Sequence, residues 1–408
     1  MRILILTQYY PPEIGAPQRR LSSLARRLSA MGHAVRVLTA VPNYPEGRVH
    51  AEFRRRLLVR ETRDGIPVLR AWMWATRSRA VPPRFLSYLS FAASALVAGL
   101  CDRRDTDVVL TESPPLFLGA TGLLVARARR AAFVLNVADL WPRAAVEMNV
   151  VTSRPLIAAA RWLERTLYRR ASLVMTQTEG MKREIADTGA AHTLLFENGV
   201  DLEVFRPDAA DPERLRALGL GDFVVGYAGL HGTCQQLDVV VEAARAMGDD
   251  SRTTFALFGD GPERERLRGL ARDLPAVRFL PSQAPERMPA LVAAWGAGVV
   301  TLRDLPVLSA ARPSKMFEVM GAGVPLVLAA RGEAARIVRD ADCGLVVEPG
   351  DGRGLADAIA RLRDDPALRA RLGRNGRRTA ETRFDRARIA ERVARALDAA
   401  ISTPPRAA

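Results

Sequence analysis

Residues 223–232 read Phe-Val-Val-Gly-Tyr-Ala-Gly-Leu-His-Gly, and this stretch decides how the chain is divided. A short apolar run passes directly into a loop that contains Gly229 and Gly232, and an amphipathic segment follows. That order is typical of a buried parallel strand, its loop and the helix that returns across the sheet. The same order opens the chain, where a predicted strand at Arg2–Thr7 precedes a predicted helix at Ala16–Met31. The sequence therefore predicts two α/β domains in series.

A polar link bounded by prolines separates the two halves at residues 206–212. Such a composition is typical of a boundary between domains. The sequence predicts an N-terminal domain over residues 1–205 and a C-terminal domain over residues 206–384. A terminal amphipathic helix from Asp385 to Ile401 and a disordered tail are predicted within the remaining residues, 385–408.

Short apolar runs alternate with longer amphipathic stretches in both halves. This alternation predicts two doubly wound, Rossmann-like α/β domains, which would form a cleft where they face each other. Ligands of such sheets bind beyond the carboxyl ends of the strands, so we expect functional side chains to follow strands. Further strands are predicted at Ala34–Val41, Val68–Met73, Asp107–Thr111, Phe133–Ala138, Leu173–Gln177 and Thr193–Phe196, and in the second half at Thr254–Phe258, Val277–Leu280, Gly298–Leu302, Pro325–Leu328 and Leu345–Val347.

The charge and cysteine content narrow the classes of function. The net charge is +15, and only two of the 60 basic residues are lysines. The arginines are spread along the chain without the interleaved aromatic residues of a single-strand binder, so nucleic acid is not an expected partner. Three widely separated cysteines offer no metal-ligand spacing and no disulfide framework, which predicts a reducing, cytoplasmic setting. The N-terminus turns polar too soon for a signal peptide, and no run reaches the ~20 apolar residues of a membrane span.

One of the two lysines lies in Ala-Arg-Pro-Ser-Lys-Met-Phe-Glu, residues 311–318. Pro313 suits the first position of a helix, and Arg312 would then be a poor N-cap, so the first helical N–H groups remain available for an anion. Lys315 and Glu318 fall on one face of that first turn. A cation beside free N–H groups suits a phosphate, and a carboxylate one turn later suits sugar hydroxyls. An exposed helix start with a surface ion pair is the alternative interpretation.

Three turns that contain glycine follow predicted strands. Gly15 ends a proline-rich loop and precedes a long helix, which suits close approach of the backbone to an anion or a sugar. Residues 229–232 form a comparable loop, in which His231 either donates to a ligand or is structural. Gly259 and Asp260 belong to a third turn, where turn formation alone would explain the glycine. These turns lack the fingerprint of a dinucleotide-binding loop.

Polar side chains also follow strands in the first half. Asp139 comes directly after a buried strand, where a carboxylate could orient or deprotonate an acceptor hydroxyl; an N-capping aspartate is the alternative. Glu112 is a second candidate of this kind, and Arg143 is a further candidate contact for an acceptor. No cluster of His and Cys occurs, and the two Asp-x-Asp patterns precede a strand or end a helix, so no metal site is predicted.

The apolar stretch Phe85–Leu100 follows a segment that contains Trp72, Trp74 and several arginines. The stretch is too short to span a membrane, but apolar residues flanked by arginines suit the headgroup region of a bilayer. A buried core helix is the other interpretation. The positive charge of the chain favours membrane contact.

Taken together, these segments resemble the GT-B glycosyltransferases, specifically retaining family 4. Within that family they are similar to the branch that builds bacterial surface polysaccharides, of the amino-sugar-transferase type. The resemblance covers nearly the whole chain, and the order and spacing of its motifs are specific. The motifs that carry it are Gln8–Gly15, Asp139-Leu140-Trp141-Pro142, Asn198-Gly199-Val200-Asp201, Gly229–Gly232, Gly259-Asp260-Gly261 and Arg312–Pro325.

The resemblance implies a nucleotide-sugar donor held mainly by the C-terminal domain and an acceptor held mainly by the N-terminal one. Glu318 corresponds to the glutamate that binds the donor ribose. Lys315 and neighbouring backbone N–H groups, including that of Ser314, correspond to diphosphate contacts. Gly15 would approach the diphosphate from the opposite domain. Family members of this kind need no metal.

The chain departs from the family pattern at two places. Ala310 occupies the position of an earlier glutamate that contacts the transferred sugar, so that contact must come from elsewhere, such as Asp304 or the backbone around Ser309. The Arg and Lys that usually follow the second-domain glycine loop are replaced by residues 233–236, Thr-Cys-Gln-Gln. Neutralisation of the diphosphate then depends more heavily on Lys315 and Arg312.

The sequence and the resemblance together predict a metal-independent, retaining glycosyltransferase. It would move a sugar, with an N-acetylhexosamine as the expected one, from a UDP-sugar to a hydroxyl on a lipid-linked or small-molecule acceptor. The expected process is the biosynthesis of a surface polysaccharide, a glycolipid or a secondary metabolite. No further cofactor is expected, and the expected location is the cytoplasm, with peripheral contact at the inner face of the cell membrane. A UDP-sugar epimerase of the same architecture and a non-catalytic nucleotide-sugar-binding protein are the alternatives.

Overall fold

The computed structural model describes residues 1–13, 15–44, 46–78, 80–147, 151–248 and 252–402. These residues divide into two compact units. Unit 1 comprises Met1–Glu197 and the chain from Ala387 onwards, whereas unit 2 comprises Asn198–Arg386. The part of the predicted tail at residues 403–408 lies outside the described residues.

Unit 1 is built on one large sheet, whose strand order is β3-β4-β2-β1-β5-β6-β7-β8. Within the described part of the chain, β3 alone pairs antiparallel, and the remaining pairs are parallel. The strands are β1 (Arg2–Leu6), β2 (Ala34–Ala40), β3 (Leu58–Arg63), β4 (Ile66–Ala71), β5 (Val108–Ser113), β6 (Ala132–Val137), β7 (Leu173–Thr176) and β8 (Thr193–Leu195). The helices are α1 (Ala16–Ala30), α2 (Val81–Cys101), α3 (Leu116–Arg129), α4 (Arg143–Glu147), α5 (Arg154–Arg170) and α6 (Glu179–Thr188).

Successive residues of β1 alternate between two hydrophobic cores, one on each face of the sheet. Ile3 and Ile5 belong to one core, and Leu4 and Leu6 belong to the other. This two-residue period follows from the pleat of a strand, and burial on both faces explains why β1 reads as a continuous apolar run. The predicted doubly wound arrangement is therefore confirmed for unit 1.

The sequence analysis missed β3. This strand is half-exposed and rich in charged residues, so its sequence Leu-Val-Arg-Glu-Thr-Arg lacks the apolar run that marks the other strands. It forms a hairpin with β4 through Asp64 and Gly65, whose φ angles are 50° and 76°. Asp-Gly is the preferred pair for such a two-residue turn, and it was the available signal for the hairpin.

Unit 2 contains a sheet of order β11-β10-β9-β12-β13-β14 with parallel pairing throughout the described strands. This is the arrangement of a doubly wound Rossmann-like fold, as predicted. Its strands are β9 (Phe223–Ala228), β10 (Thr253–Phe258), β11 (Val277–Leu280), β12 (Ala297–Thr301), β13 (Leu326–Ala329) and β14 (Gly344–Val347). Its helices are α7 (Pro212–Ala217), α8 (Asp238–Met247), α9 (Arg264–Leu270), α10 (Met288–Ala293), α11 (Ser314–Gly321), α12 (Gly332–Asp340), α13 (Gly352–Asp364) and α14 (Pro366–Thr379).

The last helix, α15 (Arg386–Ser402), confirms the predicted C-terminal amphipathic helix. Its apolar face carries Ile389, Val393 and Leu397, which are buried in the same core as Ile3 and Ile5 of β1. The C-terminal helix therefore completes a core of unit 1, although the whole of unit 2 separates it in sequence from the rest of that unit. Short 3₁₀ helices lie at Ala51–Phe53, Pro207–Ala209, Thr233–Gln235 and Pro306–Leu308, and a π-helical turn lies at Ala380–Phe384.

Helix α2 is longer than the predicted apolar stretch. It extends over 21 residues, which by length and composition alone is enough to cross a membrane, contrary to the expectation that no such segment occurs. One side of the helix packs inside unit 1, where Phe91 and Ala95 are fully buried. The other side exposes large apolar residues, among them Leu86 and Val97. The core-helix interpretation thus describes one side of α2, and membrane contact through the other side stays a prediction.

Candidate functional site

The candidate site of unit 2 lies where the order of its strands reverses. β9 pairs with β10 on one side and with β12 on the other, so the connections from β9 and β12 leave the sheet in opposite directions. A crevice opens at such a switch point beyond the carboxyl ends of the strands. The loop at residues 229–232 follows β9, and the segment that leads into α11 follows β12.

The glycine loops after β9 and β10 pack backbone against backbone. Gly229 and Gly259 have φ angles of 145° and 135°, a region that favours glycine. A Cβ added to Gly259 would lie 1.9 Å from the carbonyl oxygen of Gly229, so the two chains pass too closely for any side chain there. The Gly229 N–H donates to the Phe258 carbonyl at 2.9 Å, and the His231 N–H donates to the Asp260 carbonyl at 2.8 Å. The structure thus brings together two turns that the sequence had marked separately.

Lys315 reaches into this arrangement from α11. Its Nζ donates a hydrogen bond of 2.5 Å to the Tyr227 hydroxyl, which in turn donates to the Leu230 carbonyl at 2.7 Å. A Cβ added to Gly229 would lie 3.0 Å from Nζ, so the absence of a side chain makes room for the ammonium group. Lys315 is half-buried, and burial of its ammonium group lowers the pKa to about 7, although the carboxylate of Glu318 acts to raise it.

Helix α11 starts one residue later than predicted. Ser314 is its first residue and Pro313 stands at the N-cap, where no side chain caps the first turn within the described part of the structure. The predicted N-cap, Arg312, instead lies just before the helix and is buried. Its Nε donates to the Glu333 carboxylate at 2.7 Å. An uncapped start next to Lys315 is nevertheless what an anion site requires.

The other predicted donor residues of the glycine loops, His231 and Asp260, are in different environments. His231 is fully buried, with its ring between those of Tyr227 and Phe279 at centroid distances of 5.9 and 6.1 Å. Burial, together with Arg264 and Lys315, lowers the pKa of His231 to about 4, so its imidazole is neutral at pH 7. The exposed Asp260 accepts a hydrogen bond from the Gly261 N–H at 2.7 Å. Turn formation therefore uses one oxygen of that carboxylate, Oδ1.

The remaining predicted positions in unit 2 lie in α11 and in the segments that follow β9 and β12. Glu318 is half-buried one turn after Lys315, and Gly232 is the N-cap of the 3₁₀ turn at Thr233–Gln235. Asp304, a candidate replacement for the missing glutamate, pairs with Arg331 at 2.6 Å. The Ser309 carbonyl, the other candidate, accepts from the Glu333 N–H at 2.8 Å.

Two arginines near the glycine loops were missed by the sequence analysis. Arg303, just after β12, donates through Nε to the Thr233 carbonyl at 3.3 Å, and its own N–H donates to the Cys234 carbonyl at 2.9 Å. Arg264, at the start of α9, has a buried Nε with no hydrogen-bond partner among the described residues. In a chain whose cations are almost all arginine, nothing in the sequence distinguishes these two from the others.

In unit 1 the predicted residues follow β5 and β6, as expected. Glu112 is buried, accepts a 2.7 Å hydrogen bond from Arg20 and accepts another from the Asn136 amide. Both carboxylate oxygens are thus engaged inside the unit, where Glu112 holds Arg20 in place. Asp139 lies just beyond β6, where desolvation by the surrounding protein raises the pKa of its carboxyl and the charge of Arg20 acts to lower it.

The two other predicted residues of unit 1 lie at helix starts. Gly15 is the N-cap of α1, where its carbonyl accepts from the Arg19 N–H at 3.1 Å. Arg143 is the first residue of α4 and forms ion pairs with Glu147 at 2.6 Å and Glu184 at 2.5 Å. Over the residues that the structure describes, no group of three or more His, Cys, Asp or Glu side chains could hold a metal ion.

Comparisons with known proteins agree with this architecture. Residues 15–199 match the glycosyl transferase 4-like domain, and residues 216–379 match the glycosyl transferases group 1 domain. The solved structure of Anabaena Alr3699/HepE in complex with UDP has the same fold, with a TM-score of 0.72, 21% identity, and coverage of 98% of this chain and 100% of that one.

Two curated relatives are also similar in sequence. WcaI of Escherichia coli (strain K12), named for a proposed role as a glycosyl transferase in colanic acid biosynthesis, is 28% identical over 81% of this chain and 83% of its own length. The lipopolysaccharide core biosynthesis glycosyltransferase LpsD of Rhizobium meliloti (strain 1021) is 35% identical over 46% of this chain and 51% of its own length. The chain is therefore a glycosyltransferase of the GT-B fold and belongs to the family that joins a glycosyl transferase 4-like domain to a group 1 domain.

Proposed function

We propose that this glycosyltransferase moves an N-acetylhexosamine from a UDP-sugar to a hydroxyl acceptor, with retention, in the assembly of a surface polysaccharide or glycolipid. The observation that carries the proposal is the position of Lys315, whose ammonium group lies beside Gly229 and the uncapped start of α11. UDP in the complex of Alr3699/HepE supports the choice of nucleotide. The named processes of WcaI and LpsD support the choice of pathway class.

In this proposal the diphosphate lies at the glycine loops of unit 2. Lys315 and the N–H groups at the start of α11, including that of Ser314, donate to its oxygens, and the positive end of the helix dipole adds to the attraction. Arg264 and Arg303 supply further positive charge in place of the family's missing Arg and Lys. Glu318 accepts hydrogen bonds from the ribose hydroxyls. Because these groups can balance the charge of the diphosphate, we propose that the reaction needs no metal ion.

In the proposed reaction the configuration at the anomeric carbon is retained, because the acceptor attacks on the face of the sugar from which the diphosphate departs. The bond between the anomeric carbon and the diphosphate oxygen breaks, and the bond to the acceptor oxygen forms on the same side. The acceptor proton passes to the departing phosphate oxygen or to the carboxylate of Asp139. Stabilisation of the departing diphosphate by Lys315 and the helix start would contribute much of the rate.

We further propose that unit 1 meets the cytoplasmic face of the cell membrane through α2. The exposed side of this helix carries Phe85, Leu86, Val97 and Leu100, of which Val97 is 63% exposed. An apolar helix face of this kind partitions into the headgroup region when positive charge holds it near an anionic surface. The net charge of +15 supplies that attraction.

Calorimetric titration with UDP tests the donor site directly. Lys315→Ala and Glu318→Ala should each weaken UDP binding by about 1.5–3 kcal/mol, the usual value of a hydrogen bond to a charged group. Lys182→Ala is a matched control, because it removes the chain's other lysine, which lies in unit 1 with only a 3.9 Å contact to Glu179. Normal UDP affinity in both α11 variants would show that the site is misplaced.

A panel of UDP-sugars then tests the sugar. The proposal expects turnover with UDP-N-acetylglucosamine or another UDP-N-acetylhexosamine and a lipid-linked acceptor fraction, with the anomeric configuration of the product read by NMR. Turnover with UDP-glucose alone would contradict the assignment of the sugar and leave the donor site intact. An inverted product would contradict retention.

A further inference from the structure

A cavity of about 430 Å³ lies in unit 1, lined by residues between Gly47 and Ala75. The lining residues include three arginines, Arg48, Arg54 and Arg55, and two tryptophans, Trp72 and Trp74. The volume is within the range of small-molecule sites, ~300–1,000 Å³. Its lining shares no residue with the donor site of unit 2 or with Asp139.

The three arginines carry positive charge that the protein itself does not balance. No carboxylate is found among the described residues that line the cavity, and none of the three arginines forms an ion pair within the described structure. Arg54 makes only a long contact, 3.4 Å from Nε to the Val49 carbonyl. The nearby Arg70 shows the contrast: it is fully buried and its guanidinium is bonded to Glu61 at 2.7 Å. An arginine cluster of this kind suits an anionic ligand.

The backbone at Arg55 is also unusual. Its φ angle is 60°, in the left-handed region that few residues other than glycine adopt. Such conformations cost free energy and are concentrated at ligand sites. Arg55 lies in a run of three consecutive exposed arginines, Arg54–Arg56, and the first two of them line the cavity.

The aromatic wall is tied to helix α2. The Trp74 N–H donates to the Ser90 hydroxyl at 2.9 Å, and the Ser94 hydroxyl donates to the Trp72 carbonyl. Both serines belong to α2, so the wall stands directly beside the helix whose outer face is apolar. Trp72 and Trp74 are 39% and 44% exposed, which leaves ring surface available to an apolar group.

We propose that this cavity is a binding site for a phosphate or diphosphate monoester that carries an apolar chain. The arginines would hold the phosphate, and the two tryptophans would contact the chain. A phosphate monoester carries nearly two negative charges at neutral pH, so it matches three unbalanced guanidinium groups better than a single carboxylate does. Because its residues are separate from the donor site, the site would exist whichever nucleotide the enzyme uses.

Titration with geranyl diphosphate, a soluble diphosphate with an apolar chain, tests this site on the full-length protein. The Lys315→Ala background weakens binding at the proposed donor site by roughly tenfold or more. In that background Arg48→Gln/Arg54→Gln should weaken binding at least tenfold. Arg103→Gln/Arg130→Gln, which removes the same charge at two exposed arginines of unit 1, should not change it. Trp74→Leu should weaken geranyl diphosphate but leave inorganic pyrophosphate unchanged.

Equal affinities of the Arg48→Gln/Arg54→Gln and control variants for geranyl diphosphate would overturn the proposal, provided that both unfold at the wild-type temperature. Vesicle binding separates the sources of the ligand. The vesicles consist of phosphatidylcholine with about 10% of either phosphatidic acid or phosphatidylglycerol. If Arg48→Gln/Arg54→Gln no longer binds the vesicles with phosphatidic acid but still binds those with phosphatidylglycerol, the site binds a lipid phosphate monoester. If vesicle binding is unchanged and geranyl diphosphate binding is lost, the ligand is a free phosphorylated compound.

Discussion

Lys315 lies beside Gly229 and the uncapped start of α11, and its pKa is about 7. The pKa is low because burial disfavours the ammonium form, and Glu318 only partly offsets that effect. Burial lowers the pKa of the neighbouring His231, and the positive charges of Arg264 and Lys315 lower it further. An incoming diphosphate would reverse the balance, because it stabilises the charged form of Lys315.

Donor affinity should therefore fall as the pH rises from 7 to 9. Above pH 7 the free enzyme holds Lys315 neutral and must take up a proton to bind, so the Kd for UDP should increase by up to about tenfold per pH unit. Lys315→Arg keeps its charge throughout this range and should show a flat profile. Calorimetry at each pH, in two buffers of different ionisation enthalpy, measures both the affinity and the proton uptake. A wild-type Kd that is constant across this range would contradict the lowered pKa.

The same residue shows how far sequence reasoning reaches at this scale. The helix start, the lysine and the glutamate one turn later were all visible in residues 311–318. The sequence did not reveal the partner of Arg312, because Glu333 lies 21 positions further along the chain and only the fold brings the two side chains together. Arg264 and Arg303 were hidden for the same reason.

At the scale of elements, α2 has two sides with different expected roles. Phe91 is fully buried, so Phe91→Ala should lower the free energy of unfolding by about 3–5 kcal/mol. Leu86 and Val97 lie on one exposed side, so Leu86→Glu/Val97→Glu should change stability by only about 0.5 kcal/mol per site. The double variant should nevertheless bind anionic vesicles more weakly, as measured by co-sedimentation. Undiminished vesicle binding would remove the main support for membrane contact through α2.

At the scale of the whole molecule, the two ends of the chain depend on each other within unit 1. Leu397 of α15 is fully buried in the core that also contains Ile3 and Ile5 of β1. Leu397→Ala should therefore cost about 2–5 kcal/mol and lower the melting temperature of unit 1. Glu391→Ala, at an exposed position of the same helix, is the control and should unfold like the wild type. Equal melting temperatures would show that α15 contributes little to this core.

The sequence by itself determined the local features of this protein. Buried strands such as Phe223–Ala228, the glycine turns after them and the amphipathic helix at α15 follow from periodicity and turn chemistry, which act between neighbours along the chain. Only the tertiary structure decided which distant groups meet: Gly229 with Gly259, Glu112 with Arg20, and α15 with β1. Those contacts depend on the strand order and on how the helices pack. Sequences with the same local pattern can fold with a different strand order and a different helix packing. Lys315 is the clearest case. The sequence shows that a lysine is present at this position, but its pKa is lowered by the burial that results from the fold.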